Sequence, residues 1–161
     1  MIRLKTSVLL AAALKIGAYL ADAPAEDAEK LYEFGVKMGL AFQLQDDWLD
    51  VYGDPKVFGK NIGGDILCNK KTFMLITALE EANEEQRAAL EGWLAAREYV
   101  PAEKIAAVTA LYNEIGVGKR CQEMAEALNA EGFAILDSIN LPEERKAVLK
   151  KYACSMLNRN V

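Results

Sequence analysis

Three aspartates within five residues of one another are the side chains of this sequence best suited to chemistry. In the run FQLQDDWLD, Asp46 and Asp50 are four residues apart, and Asp47 and Asp50 are three apart. On a helix these spacings bring the carboxylates to one face, where like charges repel by about 0.2–0.5 kcal/mol per pair. Carboxylate oxygens suit Mg²⁺, which shares its coordination shell with waters and substrate phosphates. The spacing therefore predicts a Mg²⁺-diphosphate site.

A solvated acidic face is the plainer interpretation of the same residues, since charged side chains are mostly exposed. Position along the helix argues against it. The three aspartates fall in the last two turns of a helix predicted for residues 25–52, where the macrodipole disfavours an anion by about 0.3–1 kcal/mol. A bound divalent cation would offset both this penalty and the repulsion between the carboxylates.

A glycine-rich segment with lysines follows the acidic run. It contains Lys60 in FGKNIGGD and continues into NKKT, which holds Lys70. A lysine ammonium is a good point-charge partner for a phosphate oxygen, although a turn with solvated lysines would look the same. The segment does not match a P-loop, in which Gly-Lys precedes Ser or Thr. The pair Lys5-Thr6 near the amino terminus is, taken alone, no more than a helix start.

Composition excludes several kinds of active site and partner. The 161 residues include no histidine, which excludes Ser-His, Cys-His and His-metal chemistry within them. The net charge of −5 argues against nucleic acid as a partner. Three cysteines without a CxxC pair favour a reducing cytoplasm. The apolar run 7–21 is interrupted by Lys15 and is shorter than the ~20 residues of a membrane span, so we expect none.

The elements that must position these side chains are helices. Hydrophobic residues make up 52% of the sequence and prolines number 4, and no segment alternates with a period of two, which is typical of an all-α protein. Turn and cap residues predict a loop at 56–64 and helices at 3–21, 25–52, 66–82 with Asp65 as N-cap, 84–96, 101 to a break at Gly116 and Gly118, 119–139, and 142–157. We expect a helical bundle that forms a single domain over residues 1–161.

The helix predicted at 25–52 also carries a packing signal. Apolar residues recur along it at steps of three and four, with small residues among them. The apolar residues are Leu31, Phe34, Met38, Phe42 and Leu49, and the small ones are Gly35, Gly39 and Ala41. This periodicity is that of an amphipathic helix with one apolar face. It predicts a buried stripe against which another helix packs closely.

Taken together, these motifs resemble one family. The run FQLQDDWLDVYGDPKVFGKNIGGDILCNKKT resembles the second aspartate-rich motif and the following lysine loop of the trans-isoprenyl diphosphate synthases, which make farnesyl, geranylgeranyl and longer polyprenyl diphosphates. The order of Lys-Thr, Phe-Gln, DDxxD, GDP, GK, GGD and NKKT fits, as does the ending LPEERK. The resemblance implies the carboxyl-terminal half of the isoprenoid synthase fold, a polyprenyl synthetase domain.

The resemblance also implies roles for the acidic run and the loop. Asp46 and Asp50 would ligate Mg²⁺, and Asp47 would help to hold metal-bound water. Lys60 would contact the allylic diphosphate. The implied activity is that of a prenyltransferase of isoprenoid biosynthesis, which joins an allylic diphosphate to isopentenyl diphosphate. In that reaction the departing diphosphate is stabilised by metal and lysines.

Four further residues acquire roles from the resemblance. Lys5 and Lys70 would lie near the diphosphate, and Gln43 and Thr6 would line the reacting end of the pocket. The departing diphosphate itself would act as the base, since the chain has no histidine.

Family members carry an earlier DDxxD motif followed by an Arg pair, and these 161 residues contain neither. We therefore expect the chain to be incomplete and inactive alone, and to associate with the missing amino-terminal half or with a second copy. Two alternatives remain open: a non-catalytic regulatory subunit that binds diphosphate, and a helical interaction module with a vestigial site.

Overall fold

The computed structural model describes residues 2–54 and 62–157, in which every regular element is a helix. A π-helical segment, Arg3–Ser7, leads directly into the first α-helix. The α-helices are α1 (Val8–Leu20), α2 (Ala25–Tyr52), α3 (Gly64–Leu67), α4 (Phe73–Glu81), α5 (Glu84–Ala95), α6 (Pro101–Ile115), α7 (Val117–Asp137) and α8 (Glu143–Leu157). The predicted all-α class is confirmed. None of these described helices combines the length and the apolarity that a membrane crossing requires.

The chain divides into two compact units, of which the first comprises Met1–Gln45 and Met124–Asn160. Its core contains the stripe predicted on α2, where Leu31, Phe34 and Met38 are 8%, 3% and 4% exposed. Apolar side chains from the end of α7 and from α8 belong to the same cluster. The predicted stripe is therefore confirmed at these three positions, whereas Phe42 and Leu49, which the same pattern included, are only partly buried. Burial of Leu31, Phe34 and Met38 fixes the rotation of this part of α2 about its axis.

Two glycines on α2 allow the amino-terminal helical segment to approach it closely. A Cβ added at Gly35 would lie 2.6 Å from Ala11 Cα, and one added at Gly39 would lie 2.7 Å from Ser7 Cα. Both distances are far below the optimal separation of two carbon atoms, about 3.5–4.0 Å. These two positions therefore accept glycine alone at the observed helix separation.

The second compact unit, Asp46–Glu123, contains the end of α2, helices α3 to α6 and the start of α7. Helix α6 contacts α3, α4 and α5. The apolar core of this second unit includes Leu75 of α4, Leu90 of α5 and Val108 of α6, each of which is at most 6% exposed. This packing holds the short α3 against a longer helix.

The predicted helix at 66–82 with Asp65 as its N-cap is wrong. Helix α3 ends at Leu67, and α4 begins at Phe73, where Thr72 accepts a hydrogen bond from the Leu75 N–H at 3.2 Å. The break occurs because Asn69 adopts a positive φ of 50°, which ends α3. The Lys70 N–H then bonds to the Asp65 carbonyl, and the Asn69 N–H bonds to the Ile66 carbonyl, as in a Schellman motif.

The break predicted near Gly116 and Gly118 is confirmed, and it falls at Gly116. This glycine has a φ of +83° and caps α6, a conformation that L side chains rarely adopt. Helix α7 resumes at Val117, two residues earlier than predicted. The predicted helix at 25–52 has the bounds of α2, whereas the one predicted at 3–21 begins with a π-helical turn.

Candidate functional site

The three aspartates of the predicted site lie on the last two turns of α2, but their surroundings differ. Asp47 is buried, with 1% of its surface exposed. Asp46 and Asp50 are partly exposed. One turn of helix separates Asp46 from Asp50, so these two carboxylates are the ones that a ligand from solvent can reach.

Lys70 neutralises the buried aspartate. Its Nζ donates to Asp47 Oδ1 at 3.1 Å and to Asp65 Oδ2 at 2.6 Å. Partial burial lowers the pKa of Lys70, but the hydrogen bonds to Asp65 and Asp47 more than compensate, and the net pKa is raised. Lys70 therefore carries a positive charge and holds Asp47 in place. We call Asp46, Asp47 and Asp50 the acidic cluster.

The GGD turn folds back onto Asp50. The Gly63 N–H donates to the Asp50 carbonyl at 2.6 Å, and the Asp65 N–H donates to Asp50 Oδ2 at 2.9 Å. Gly63 has a φ of +83°, and a Cβ there would lie 2.7 Å from the Ile105 side chain. Glycine is therefore required at this position both by conformation and by space. The turn fixes the orientation of the Asp50 carboxylate.

The electrostatic environment of Asp50 favours a cation. Burial is the largest effect on this carboxyl and raises its pKa, and the negative charges of Asp65 and Asp46 raise it further. The hydrogen bond from the Asp65 N–H and the charge of Lys70 act in the opposite direction without cancelling the shift. A divalent cation beside Asp46 and Asp50 would favour the ionised form. On this observation, the residues present fit Mg²⁺, whose ligands are oxygens.

Among residues 2–54 and 62–157, no group of three Asp, Glu, Cys or His side chains is arranged to hold a metal ion by itself. Asp46 and Asp50 form a pair, and Asp47 is turned to Lys70. The metal-ligand roles of Asp46, Asp47 and Asp50 all stay predictions. A metal held here would take most of its ligands from water or phosphate, as Mg²⁺ commonly does.

A buried lysine that sequence reasoning missed supports the loop carrying Lys70. Lys104 is 1% exposed, and its Nζ donates to Asn69 Oδ1 at 2.6 Å and lies 4.4 Å from the centroid of the Tyr99 ring. A signal for it exists in the sequence, because Lys104 is four residues before the buried Val108 and so shares the apolar face of α6.

The other predicted residues fall in different parts of the chain. Thr6 Oγ1 donates to Gln43 Oε1 at 3.1 Å within the first unit, so the structure brings these two together. Lys5 is exposed in the same unit. Lys60 and most of the loop predicted at 56–64 lie outside the described residues. The roles of these four residues stay predictions.

Comparison with known proteins identifies the family. Residues 1–115 match the model of the polyprenyl synthetase family. The chain is 47% identical over 87 residues to a short chain isoprenyl diphosphate synthase of Methanocaldococcus jannaschii, an alignment that covers 54% of this chain and 27% of that protein. It is 33% identical over 160 residues to a (2E,6E)-farnesyl diphosphate synthase of Mycobacterium bovis, covering 96% of this chain and 44% of that one.

The fold also matches a solved structure. The geranylgeranyl pyrophosphate synthase of Corynebacterium glutamicum, crystallised with isoprenyl diphosphate and magnesium, has a TM-score of 0.86 and 31% identity, covering 98% of this chain and 45% of that one. The chain spans less than half the length of these three proteins. The predicted family and helical fold are confirmed. Because the family model matches well over half of its residues, the chain belongs to the polyprenyl synthetase family.

Proposed function

We propose that this chain supplies the Mg²⁺-diphosphate site of a prenyltransferase that condenses an allylic diphosphate with isopentenyl diphosphate. The observation that carries the proposal is the pair Asp46 and Asp50 at the end of α2, with the GGD turn bonded to Asp50 and with Lys70 neutralising Asp47. The turn orients the Asp50 carboxylate, and Asp46 lies one helical turn before it on α2. The family match supports the reaction class.

In the proposed reaction, the allylic C–O bond breaks and the diphosphate leaves with the bonding electron pair. The isopentenyl double bond forms the new carbon–carbon bond, and the proton released afterwards goes to the diphosphate. When bound, Mg²⁺ would stabilise the negative charge that develops on the leaving group.

The residues of the chain have separate tasks in this proposal. Asp46 and Asp50 hold the metal, and the Asp65 N–H keeps the Asp50 carboxylate oriented. Lys70 holds Asp47 in place through its ion pair, and Asp47 helps to hold metal-bound water. Because these groups are set before the substrate arrives, little reorganisation is needed when charge develops on the diphosphate.

The family resemblance supports further roles. Lys60 contacts the diphosphate, and Lys5 and Lys70 lie near it. Gln43 and Thr6 line the reacting end of the pocket. The bond between Thr6 and Gln43 would hold the Gln43 amide in one orientation. We also propose a cytoplasmic location, which the three free cysteines support because disulfides are rare in that compartment.

The test is a condensation assay with isopentenyl diphosphate and a series of allylic diphosphates, run on the chain alone and with a polypeptide that carries the first aspartate-rich motif of a family member. We expect product only in the mixture, and a loss of at least about 100-fold with Asp46→Asn or Asp50→Asn, as for removal of one stabilising donor at a reacting centre.

The control is Glu33→Gln, which removes an exposed carboxylate of α2 in the other unit. It should leave turnover unchanged. Turnover that persists at the wild-type rate in Asp46→Asn and Asp50→Asn would contradict the proposal. Diphosphate binding without turnover in the mixture would instead favour the non-catalytic regulatory subunit.

A further inference from the structure

Lys104 is a buried lysine of α6 with no task in the proposed reaction. It is 1% exposed and is the largest of the fully buried side chains. Burying an ammonium group is unfavourable unless it is well paired, and an apolar residue of similar size would be at least as stable in its place. Its partners therefore indicate what it does. They are the Asn69 amide oxygen, at 2.6 Å, and the face of Tyr99.

Asn69 is held on both ends of its side chain. Its Oδ1 accepts from Lys104, and its Nδ2 donates to the Leu94 carbonyl at 3.0 Å. Its backbone adopts a φ of 50°, which asparagine tolerates better than most residues but which still has to be stabilised. The two side-chain bonds tie this unusual backbone conformation to α5 and α6.

Lys70 follows Asn69 directly, so the conformation of Asn69 sets the point from which the Lys70 side chain starts. From there its Nζ reaches both Asp47, at 3.1 Å, and Asp65, at 2.6 Å. Asp47, Asp65, Asn69, Lys70 and Lys104 line one small cavity in the second unit. A continuous series of contacts thus runs from Lys104 through Asn69 and Lys70 to the acidic cluster.

We infer that Lys104 is a positioning residue for the metal-diphosphate site, acting through Asn69 to hold Lys70 against Asp47 and Asp65. The inference rests on the proposed function of the acidic cluster and adds a residue to it. Without Lys104, Asn69 loses one of its two anchors, Lys70 moves away from the cluster, and the uncompensated charge of Asp47 disturbs the orientation of the neighbouring carboxylates.

The test is calorimetric titration of pyrophosphate in Mg²⁺ buffer into the wild-type chain and Lys104→Met, a substitution that keeps length and apolar stem but removes the charge and the donor. We expect an affinity about tenfold lower, the lower end of the effect seen for residues that orient metal ligands, because Lys104 acts through Asn69 and Lys70. Asn69→Gly retains access to positive φ and removes the hydrogen bond to Lys104, so it should lower the affinity to a similar extent. It replaces Lys104→Met in the test if that variant does not fold.

A double-mutant cycle separates positioning from general destabilisation. If Lys104 acts through Lys70, the further loss caused by Lys104→Met should be less than about twofold in a Lys70→Met background. A loss of the same size in both backgrounds would overturn the inference. Lys146→Met is the matched control, because Lys146 is also buried and donates to a neutral oxygen, the Asp137 carbonyl at 2.9 Å, but in the first unit.

The outcomes distinguish this inference from the proposed function. Wild-type affinity in both Lys104→Met and Asn69→Gly, with Asp46→Asn still impaired, would overturn the role of Lys104 and leave the proposed function standing. An equal loss in Lys146→Met would also overturn it, since burial and not position would then explain the effect. If the wild-type chain shows no Mg²⁺-dependent binding of pyrophosphate, the proposed function fails and the inference fails with it.

Discussion

At the scale of single residues, the structure separates three aspartates that look equivalent in the sequence. Spacing alone put Asp46, Asp47 and Asp50 on one helix face. Burial then distinguishes Asp47, which is 1% exposed and paired with Lys70, from the two that solvent can reach. The sequence could not reveal this difference, because it depends on Asp65 and Lys70, which approach only after α3 packs beside α2.

Removal of the lysine should expose the difference between the aspartates. Lys70→Met would leave the buried Asp47 carboxylate without its charged donor, and we expect a loss of about 1–3 kcal/mol in the free energy of unfolding. This is less than for a fully buried pair because the Lys70 side chain keeps 30% of its exposure. Urea titration measures the change.

Lys119→Met is the control for that variant. Lys119 makes a helix-surface ion pair with Glu123, and its side chain is 82% exposed. Its removal should change the free energy of unfolding by less than about 0.5 kcal/mol. Equal effects of the two substitutions would mean that Lys70 does not neutralise a buried charge.

The cysteines give a second prediction at this scale. Burial, with a smaller contribution from the negative charge of Asp47, raises the pKa of the Cys121 thiol to about 12. Cys68 and Cys154 are exposed. Because the thiolate is the reactive form, a thiol reagent at pH 8 should modify two cysteines in the native chain and all three after denaturation. Mass spectrometry counts the adducts, and rapid native labelling of Cys121 would show that its surroundings are open.

At the scale of elements, the sequence predicted long helices well and the interrupted region poorly. The apolar stripe and the flanking Pro24 and Gly53 determine α2, so its bounds were predicted correctly. The break between α3 and α4 was missed although the polar run 69–72 separates the apolar residues of the two helices. Two signals were present in the NKKT run: Asn69, a residue that tolerates positive φ, and Thr72, a common N-cap.

Close packing against α2 gives a prediction for its glycines. Gly39→Ala should destabilise the chain by about 1–3 kcal/mol, the usual effect of overpacking, because the added Cβ would meet Ser7 Cα at 2.7 Å. Gly17→Ala on α1 is the control. Apart from its chain neighbours and the backbone of its own helix, none of the described residues has an atom within 4 Å of the added Cβ, so the substitution should stabilise the helix by about 0.5–1 kcal/mol. The melting temperature should fall in Gly39→Ala and rise in Gly17→Ala. A change in the same direction in both variants would contradict the close packing at Gly39.

At the scale of the whole molecule, composition was enough to predict the helical class, and ordered motifs were enough to predict the family. The division into two compact units was not predicted, because it depends on contacts between distant segments. The single-domain interpretation of residues 1–161 stays a prediction. The roles of Lys5, Thr6, Gln43 and Lys60 depend on family resemblance more than on any local pattern, since exposed lysines and helix-start residues are common.

Self-association is a prediction at this scale. Three leucines near the amino terminus are strongly exposed: Leu4 at 79%, Leu9 at 77% and Leu20 at 82%. Exposed apolar patches favour association with another surface. We expect the 161-residue chain to sediment as an oligomer at micromolar concentration, and Leu9→Glu with Leu20→Glu to reduce it. Val148→Glu, at a 55% exposed position of α8, is the control. If it dissociated the oligomer as much as the two leucine substitutions together, the exposed leucines would not be the contact surface.

We expect Asp46 and Asp50 to hold a divalent cation together with a diphosphate, and a Mn²⁺ titration measures this binding. Mn²⁺ accepts the same oxygen ligands as Mg²⁺, and electron paramagnetic resonance measures its free concentration in the presence of pyrophosphate. Protein-bound Mn²⁺ should be present in the wild type and in Glu33→Gln, and the affinity should be at least about tenfold lower in Asp46→Asn and Asp50→Asn. Wild-type affinity in both aspartate variants would contradict this expectation.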